Sequence, residues 1–170
     1  MKITLQQVSK SFGRKTVIKD VDRVFEPGSR TAILGPNGSG KSTLLQLIGG
    51  FSIPTKGMVT HELDGKVIEQ EHVYRHISIA APYMSLYAEL SLREAIASHR
   101  RFKPLRGNLS VAEIASIALL EKHLDKPVRD FSSGREQRLK LARAVLSDTT
   151  LLLLDEPASN LDANGSGWFR

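Results

Sequence analysis

Near the N-terminus Ile3, Leu5 and Val8 nearly alternate with polar residues, and Val17, Ile18, Val21, Val24 and Phe25 then recur among charges. That spacing predicts short strands over residues 2–34, punctuated by the turn signal Pro27-Gly28. Thr31-Ala32-Ile33-Leu34 is a short apolar run bounded by a glycine-rich loop, and Ser42 to Ile48 has helical texture, so the predicted order is strand, loop, helix. Met58 to Ile68 reads as a strand pair turning at Asp64-Gly65, and His76 to Ala80 as another strand. After residue 90 the texture becomes helical. Three Ser-x-x-Glu pairs, Ser91 with Glu94, Ser110 with Glu113 and Ser133 with Glu136, predict capped helices near 92–100, 111–123 and 134–146. Leu151 to Leu154 is apolar throughout and too short for a helix, so it is expected to be a central strand of a parallel sheet. The fold class is α/β, with a mostly helical insertion between early and late strands.

Composition narrows the class without changing it. The chain has 170 residues, 41% hydrophobic and 25% charged, with no cysteine. This balance fits one globular domain and excludes disulfides, thiolate nucleophiles and Cys-ligated metal sites. The cleanest apolar run, Leu151 to Leu154, is four residues long, far short of the roughly 18 needed to span a bilayer. With no signal-like stretch after Met1, a cytoplasmic location is the expectation. Lysine and arginine number 24 against 18 acidic residues, a net charge of +6. Such a charge permits contact with phosphates, anionic lipid or acidic partners. The densest basic stretch is His99 to Arg106, for which a solvated face is the expected role.

The chemistry concentrates in two places. Gly35-Pro36-Asn37-Gly38-Ser39-Gly40-Lys41-Ser42 matches G-x-x-x-x-G-K-[ST] between a predicted strand and a predicted helix,. Glycines let successive N–H groups turn inward onto phosphate oxygens, and the helix N-terminus adds partial positive charge there. Lys41 is expected to reach the β- and γ-phosphates and Ser42 to ligate Mg²⁺, with Thr43 beside it on the helix. The second place is Asp155-Glu156, at the carboxyl end of the apolar strand, where open α/β sheets bind their ligands. Asp155 is expected to hold Mg²⁺, and Glu156 to polarise the water that attacks the γ-phosphate.

Phe131-Ser132-Ser133-Gly134-Arg135-Glu136-Gln137-Arg138-Leu139 precedes that strand and resembles the Leu-Ser-Gly-Gly-Gln signature of the ATP-binding cassette (ABC) ATPases. The order of phosphate loop, signature, acidic strand and Ser159-Asn160-Leu161-Asp162 resembles the same family over essentially the whole chain. The resemblance implies a phosphate-loop NTPase fold. Its mixed sheet surrounds the phosphate-loop helix, with an antiparallel N-terminal portion and a helical subdomain. A single domain is expected, with an ATP-binding core at about 1–82 and 148–170, the helical subdomain at about 83–147, and the C-terminal part of the core missing.

Function is implied likewise: an ATP-binding and hydrolysing subunit that dimerises, as homodimer or heterodimer, around two Mg·ATP and drives a separate transmembrane permease. It would sit peripherally at the inner face of the membrane. Glu156 would be catalytic. ATP would lie on residues 35–43 and stack on Phe12 of Ser11-Phe12-Gly13, while Ser132, Ser133, Gly134 and Arg135 act in trans and Asp162 contacts the partner ATPase. The start of the 134–146 helix is a second anion-binding end in its own right.

Departures bear on turnover. Phe131, Ser133 and Arg135 replace the family's Leu, Gly and Gln. Pro82 stands where the family carries a glutamine that senses Mg²⁺ and water, and no histidine follows His123, whereas family members have a switch histidine after a further strand. A nucleotide-binding module without turnover is therefore an alternative. The positive charge motivates another, a soluble ABC ATPase acting on nucleic acid or the ribosome, although no nucleic-acid partner is expected. Trp168 and Phe169 are expected to begin a helix that exposes apolar surface.

Overall fold

A computed structural model describes residues 1–161 and 167–168. The chain separates into two compact units, Met1–Ile77 and Ser78–Arg170.

In the first unit, β1 (Lys2–Phe12), β2 (Lys15–Phe25), β3 (Lys56–Leu63) and β4 (Lys66–Ile68) form an antiparallel sheet of order β2-β1-β3-β4. The β1–β2 hairpin is irregular where Gln7 and Asp20 take positive φ. Side chains close the gap: Asp22 accepts from the Gln7 amide at 2.8 Å, and Ser9 and Asp20 bond each other at 2.9 and 3.0 Å. Ile3, Leu5 and Val8 are buried, as their spacing predicts, and the β3–β4 turn falls at Asp64-Gly65. The phosphate-loop helix α1 (Lys41–Ile48) ends where His61, buried on β3, bonds the Ile48 carbonyl through Nε2 at 2.7 Å.

Residues 31–34 depart from expectation. They form no strand, none of the four strands of the first unit pairs with them, and Leu34 is 89% exposed. Four apolar residues become a strand only when a neighbour supplies the hydrogen-bond ladder, and the antiparallel sheet of this unit does not extend to them.

The second unit opens with β5 (Ile77–Ala80) and continues through α2 (Leu92–Phe102), α3 (Val111–Ile117), α4 (Ser133–Leu146) and β6 (Leu151–Leu154). Capping boxes at Ser91/Glu94 and Ser110/Glu113 form as predicted, and the serine hydroxyl and amide hold each glutamate carboxyl below its usual range. The third does not form. α4 begins one residue early, with Ser132 as its N-cap and no side-chain cap bond. The predicted 111–123 helix stops at Ile117, because Leu119 turns to φ 55° and a separate 3₁₀ turn covers Glu121–His123.

α4 is buried on two faces. Leu139 and Ala142 join Leu92, Ile96, Ile114 and Leu120 in one apolar cluster, while Leu141 and Ala144 pack with Ala80 and Leu154 in another. Trp168 packs against both clusters, so it does not form the exposed patch the sequence suggested; Phe169 lies outside the described residues. Among the described residues β6 has β5 as its one hydrogen-bonded neighbour, and Leu152 is 41% exposed, so β6 is not the central strand its composition suggested.

Polar groups tie α2 to the end of α4. His99 Nε2 donates to Ser147 Oγ at 2.9 Å, Ser147 Oγ donates to the Arg143 carbonyl at 2.6 Å, and Arg143 Nη2 donates to His99 Nδ1 at 3.1 Å. This circuit requires a neutral imidazole. Burial, then the positive charges of Arg143 and Lys103, push the His99 pKa down from 6.5 to about 4. The unfolded chain therefore takes up this proton first as pH falls, so the stability from this group is full above pH 6.5 and drains toward about pH 4,. His99→Gln keeps a donor and an acceptor without titrating. Its urea midpoint is expected to fall less than that of the unsubstituted chain between those two pH values. Leu139, fully buried, provides a second test: Leu139→Ala is expected to cost about 2–5 kcal/mol by urea denaturation.

Candidate nucleotide site

The phosphate loop is built by a constraint on one residue. Gly40 caps α1 at φ 96°, and a Cβ there would lie 2.9 Å from Val17 Cγ1 and 3.0 Å from Ile18 Cδ1. Only glycine accepts both that angle and that contact. The chain thus turns sharply off the β1–β2 hairpin into the helix, leaving Gly35 to Ser39 exposed. No side chain caps α1 and no acidic residue occupies its first turn. Its first N–H groups therefore form a positive end available to an anion. Lys41 Nζ lies back over the loop, donating to the Gly35 and Pro36 carbonyls at 3.0 Å each. Ser42 and Thr43 follow on the first turn of α1. Phe12, at the tip of the same hairpin, is 55% exposed, with Lys10 Nζ 5.3 Å from its ring centroid.

In the second unit Asp155 ends β6, with its amide bonded to the Ala80 carbonyl at 2.9 Å. Its side chain is 3% exposed, and Oδ2 has no hydrogen-bond partner among the described residues. Burying a carboxylate oxygen without a partner is costly. A hard cation with oxygen ligands is the group that such an atom fits. Glu156 next to it is exposed and holds φ 44°, a left-handed conformation that costs a non-glycine residue about 1–2 kcal/mol. Ser159 returns part of that cost, since its N–H and Oγ both donate to the Glu156 carbonyl, at 2.9 and 2.7 Å.

The signature residues open α4. Ser132 and Ser133 are exposed, Gly134 is buried and Arg135 half-buried. Because Ser132 makes no side-chain cap bond, its hydroxyl is not spent on the helix end. Pro82 follows β5 on the surface. Asp162 lies outside the described residues.

The structure thus gathers residues 35–43 on one loop and helix start in the first unit, and gathers Asp155, Glu156 and Ser132 to Arg135 in the second. Two groups escaped sequence reasoning. Ser159 was visible only as part of a motif, and Gln137, 3% exposed, donates from Nε2 to the Pro157 carbonyl at 3.0 Å. The available signal was a glutamine on an otherwise apolar helix face, which announces a buried polar contact but not its partner.

A sequence model of the family described as "ABC transporter" matches residues 18–159. The chain is 39% identical over 167 residues to a sulfate/thiosulfate import ATP-binding protein of Thermosynechococcus vestitus, covering 96% of this chain and 49% of that protein. It is 37% identical over 166 residues to an Fe(3+) ions import ATP-binding protein of Pectobacterium atrosepticum, covering 94% of this chain and 47% of the relative. The chain therefore spans about half the length of the curated relatives it matches. Among solved structures, a dimeric ATP-binding cassette in a post-hydrolysis state bound to ADP and Pi superposes with a TM-score of 0.80 at 26% identity, over 98% of this chain and 78% of that one.

The Gly40 constraint can be tested directly. Gly40→Ala is expected to lose at least about 1 kcal/mol of stability from its backbone angle, and to weaken binding of a fluorescent ATP analogue more than tenfold. Gly38→Ala is the comparison, having the same sign of φ but open space around its Cβ position.

Proposed function

The chain belongs to the ABC transporter family, and from that premise we propose that it binds and hydrolyses ATP to power a separate transmembrane permease. The observation that carries the catalytic part is Asp155 Oδ2, a buried carboxylate oxygen without a protein partner, beside an exposed glutamate on a strained backbone. Ser42 and Asp155 would hold Mg²⁺, whose contribution is to neutralise phosphate charge. The N–H groups of Gly35 to Gly40 and the Lys41 ammonium bind the β- and γ-phosphates. Lys41 exchanges its two loop carbonyls for phosphate oxygens as it does so. Phe12 offers an exposed face for the adenine ring. Glu156 accepts a hydrogen bond from the attacking water and aligns it on the γ-phosphorus, since positioning and electrostatics supply most of the catalysis in phosphoryl transfer.

Dimerisation belongs to the same proposal. Ser132, Ser133, Gly134 and Arg135 form an uncapped, anion-ready helix end suited to the nucleotide of a partner ATPase domain, with Asp162 at the contact between the two. Among the described residues no helix is long and apolar enough to cross a membrane, which accords with a permease carried on another chain and a peripheral place at the membrane's inner face. Relatives named as import proteins for sulfate/thiosulfate, Fe(3+) and sn-glycerol-3-phosphate support uptake as the direction.

Phosphate release with Mg·ATP tests the reading. Glu156→Gln is expected to lower kcat at least about 100-fold, the range for loss of a positioned proton acceptor, with ATP affinity retained. Lys41→Ala is expected to remove binding and turnover together. ATP binding with no phosphate release from the unsubstituted chain would instead make it a nucleotide-binding module.

A further inference from the structure

The backbone that carries Glu156 is held from three directions. The Asp155 amide is tied to β5 through the Ala80 carbonyl, and the Glu156 carbonyl accepts two bonds from Ser159. The Pro157 carbonyl accepts Gln137 Nε2 from α4 at 3.0 Å. The first two ties are backbone pairing and a local turn. The third differs in kind, because it reaches from α4 into the loop, twenty residues away in sequence. Gln137 is almost fully buried on a helix whose buried residues are otherwise Gly134, Arg138 and four leucines and alanines. A leucine at that position would meet every packing need and leave the Pro157 carbonyl without this donor.

A non-glycine residue keeps φ 44° only where its surroundings over-determine it. Ser159 fixes the carbonyl of Glu156 but moves with the loop, since it belongs to the same turn. Gln137 does not. It is anchored on α4, whose two apolar faces set its position in the unit.

We propose that Gln137 is a positioning residue for Glu156: its amide braces the Pro157 carbonyl and so holds the loop in the left-handed turn that presents the Glu156 carboxylate. The inference rests on the proposed role of Glu156 in aligning water. It also makes α4 the common mount of two functional parts. The same helix presents Ser132 and Ser133 at its start and, one turn further on, steadies the carboxylate loop.

The test uses Gln137→Met, which keeps volume and removes the donor, on the full chain. Hydrogen exchange is read first because it does not depend on turnover. The Ser159 amide is expected to exchange at least tenfold faster, with the Leu139 to Ala144 amides unchanged; unchanged exchange at Ser159 overturns the brace. Turnover is read next. kcat is expected to fall about 10–100-fold with KM for ATP unchanged, and the substitution is expected to add nothing once Glu156→Gln is present, since both act on one function. Equal fold losses with and without Glu156→Gln, or a parallel rise in KM, would show a general structural role and overturn the proposal. If the unsubstituted chain releases no phosphate, or Glu156→Gln matches it, the role of Glu156 falls while the exchange result still decides whether Gln137 braces the loop.

Discussion

A polar group withdrawn from water costs free energy unless it finds a partner, and that constraint shapes both units of this chain. Irregular backbone at Gln7 and Asp20 is paired by side chains, and the starts of α2 and α3 are closed by reciprocal serine and glutamate bonds. Among the described residues of the candidate motifs, three sites are left open instead: the uncapped start of α1, the uncapped start of α4 and the buried Asp155 Oδ2. Two are positive helix ends and one is an anionic oxygen. The first kind suits the oxygens of an anion, and the second suits a hard cation.

Holding such groups open needs rigid support, and each unit supplies it differently. In the first, α1 is fixed at its start by the close approach of Gly40 to Val17 and at its end by His61 on the Ile48 carbonyl. In the second, α4 is wedged between two apolar clusters and anchored at its end by the His99, Arg143 and Ser147 circuit. Packing carries the stability in both, while the polar contacts choose one orientation among those that packing allows.

Features that depend on neighbours in sequence could be read before the structure was known. The phosphate loop, α1 to within one residue of its start, the Asp64-Gly65 turn and two of three capping boxes are set by bonds spanning only a few residues. Errors arose where a distant partner decides. Residues 31–34 have strand composition but no ladder, and the α4 cap moved from Ser133 to Ser132 because buried residues on both faces of α4 set its register. His99 heads the basic stretch expected to be a solvated face, since nothing nearby in sequence announces Ser147. Of the candidate site, residue types were legible, but the strain at Glu156 and its bracing were not, because φ and a contact across twenty positions leave no periodic trace.

The posture of Lys41 bears on how the loop would take up a phosphate. Its ammonium is not waiting in bulk water but is already docked on two carbonyls of the loop it serves. Under the proposed function, phosphate binding would be an exchange at nitrogen, in which phosphate oxygens take the place of peptide oxygens. Rotation of an exposed side chain takes only picoseconds to nanoseconds, so that exchange does not slow loading.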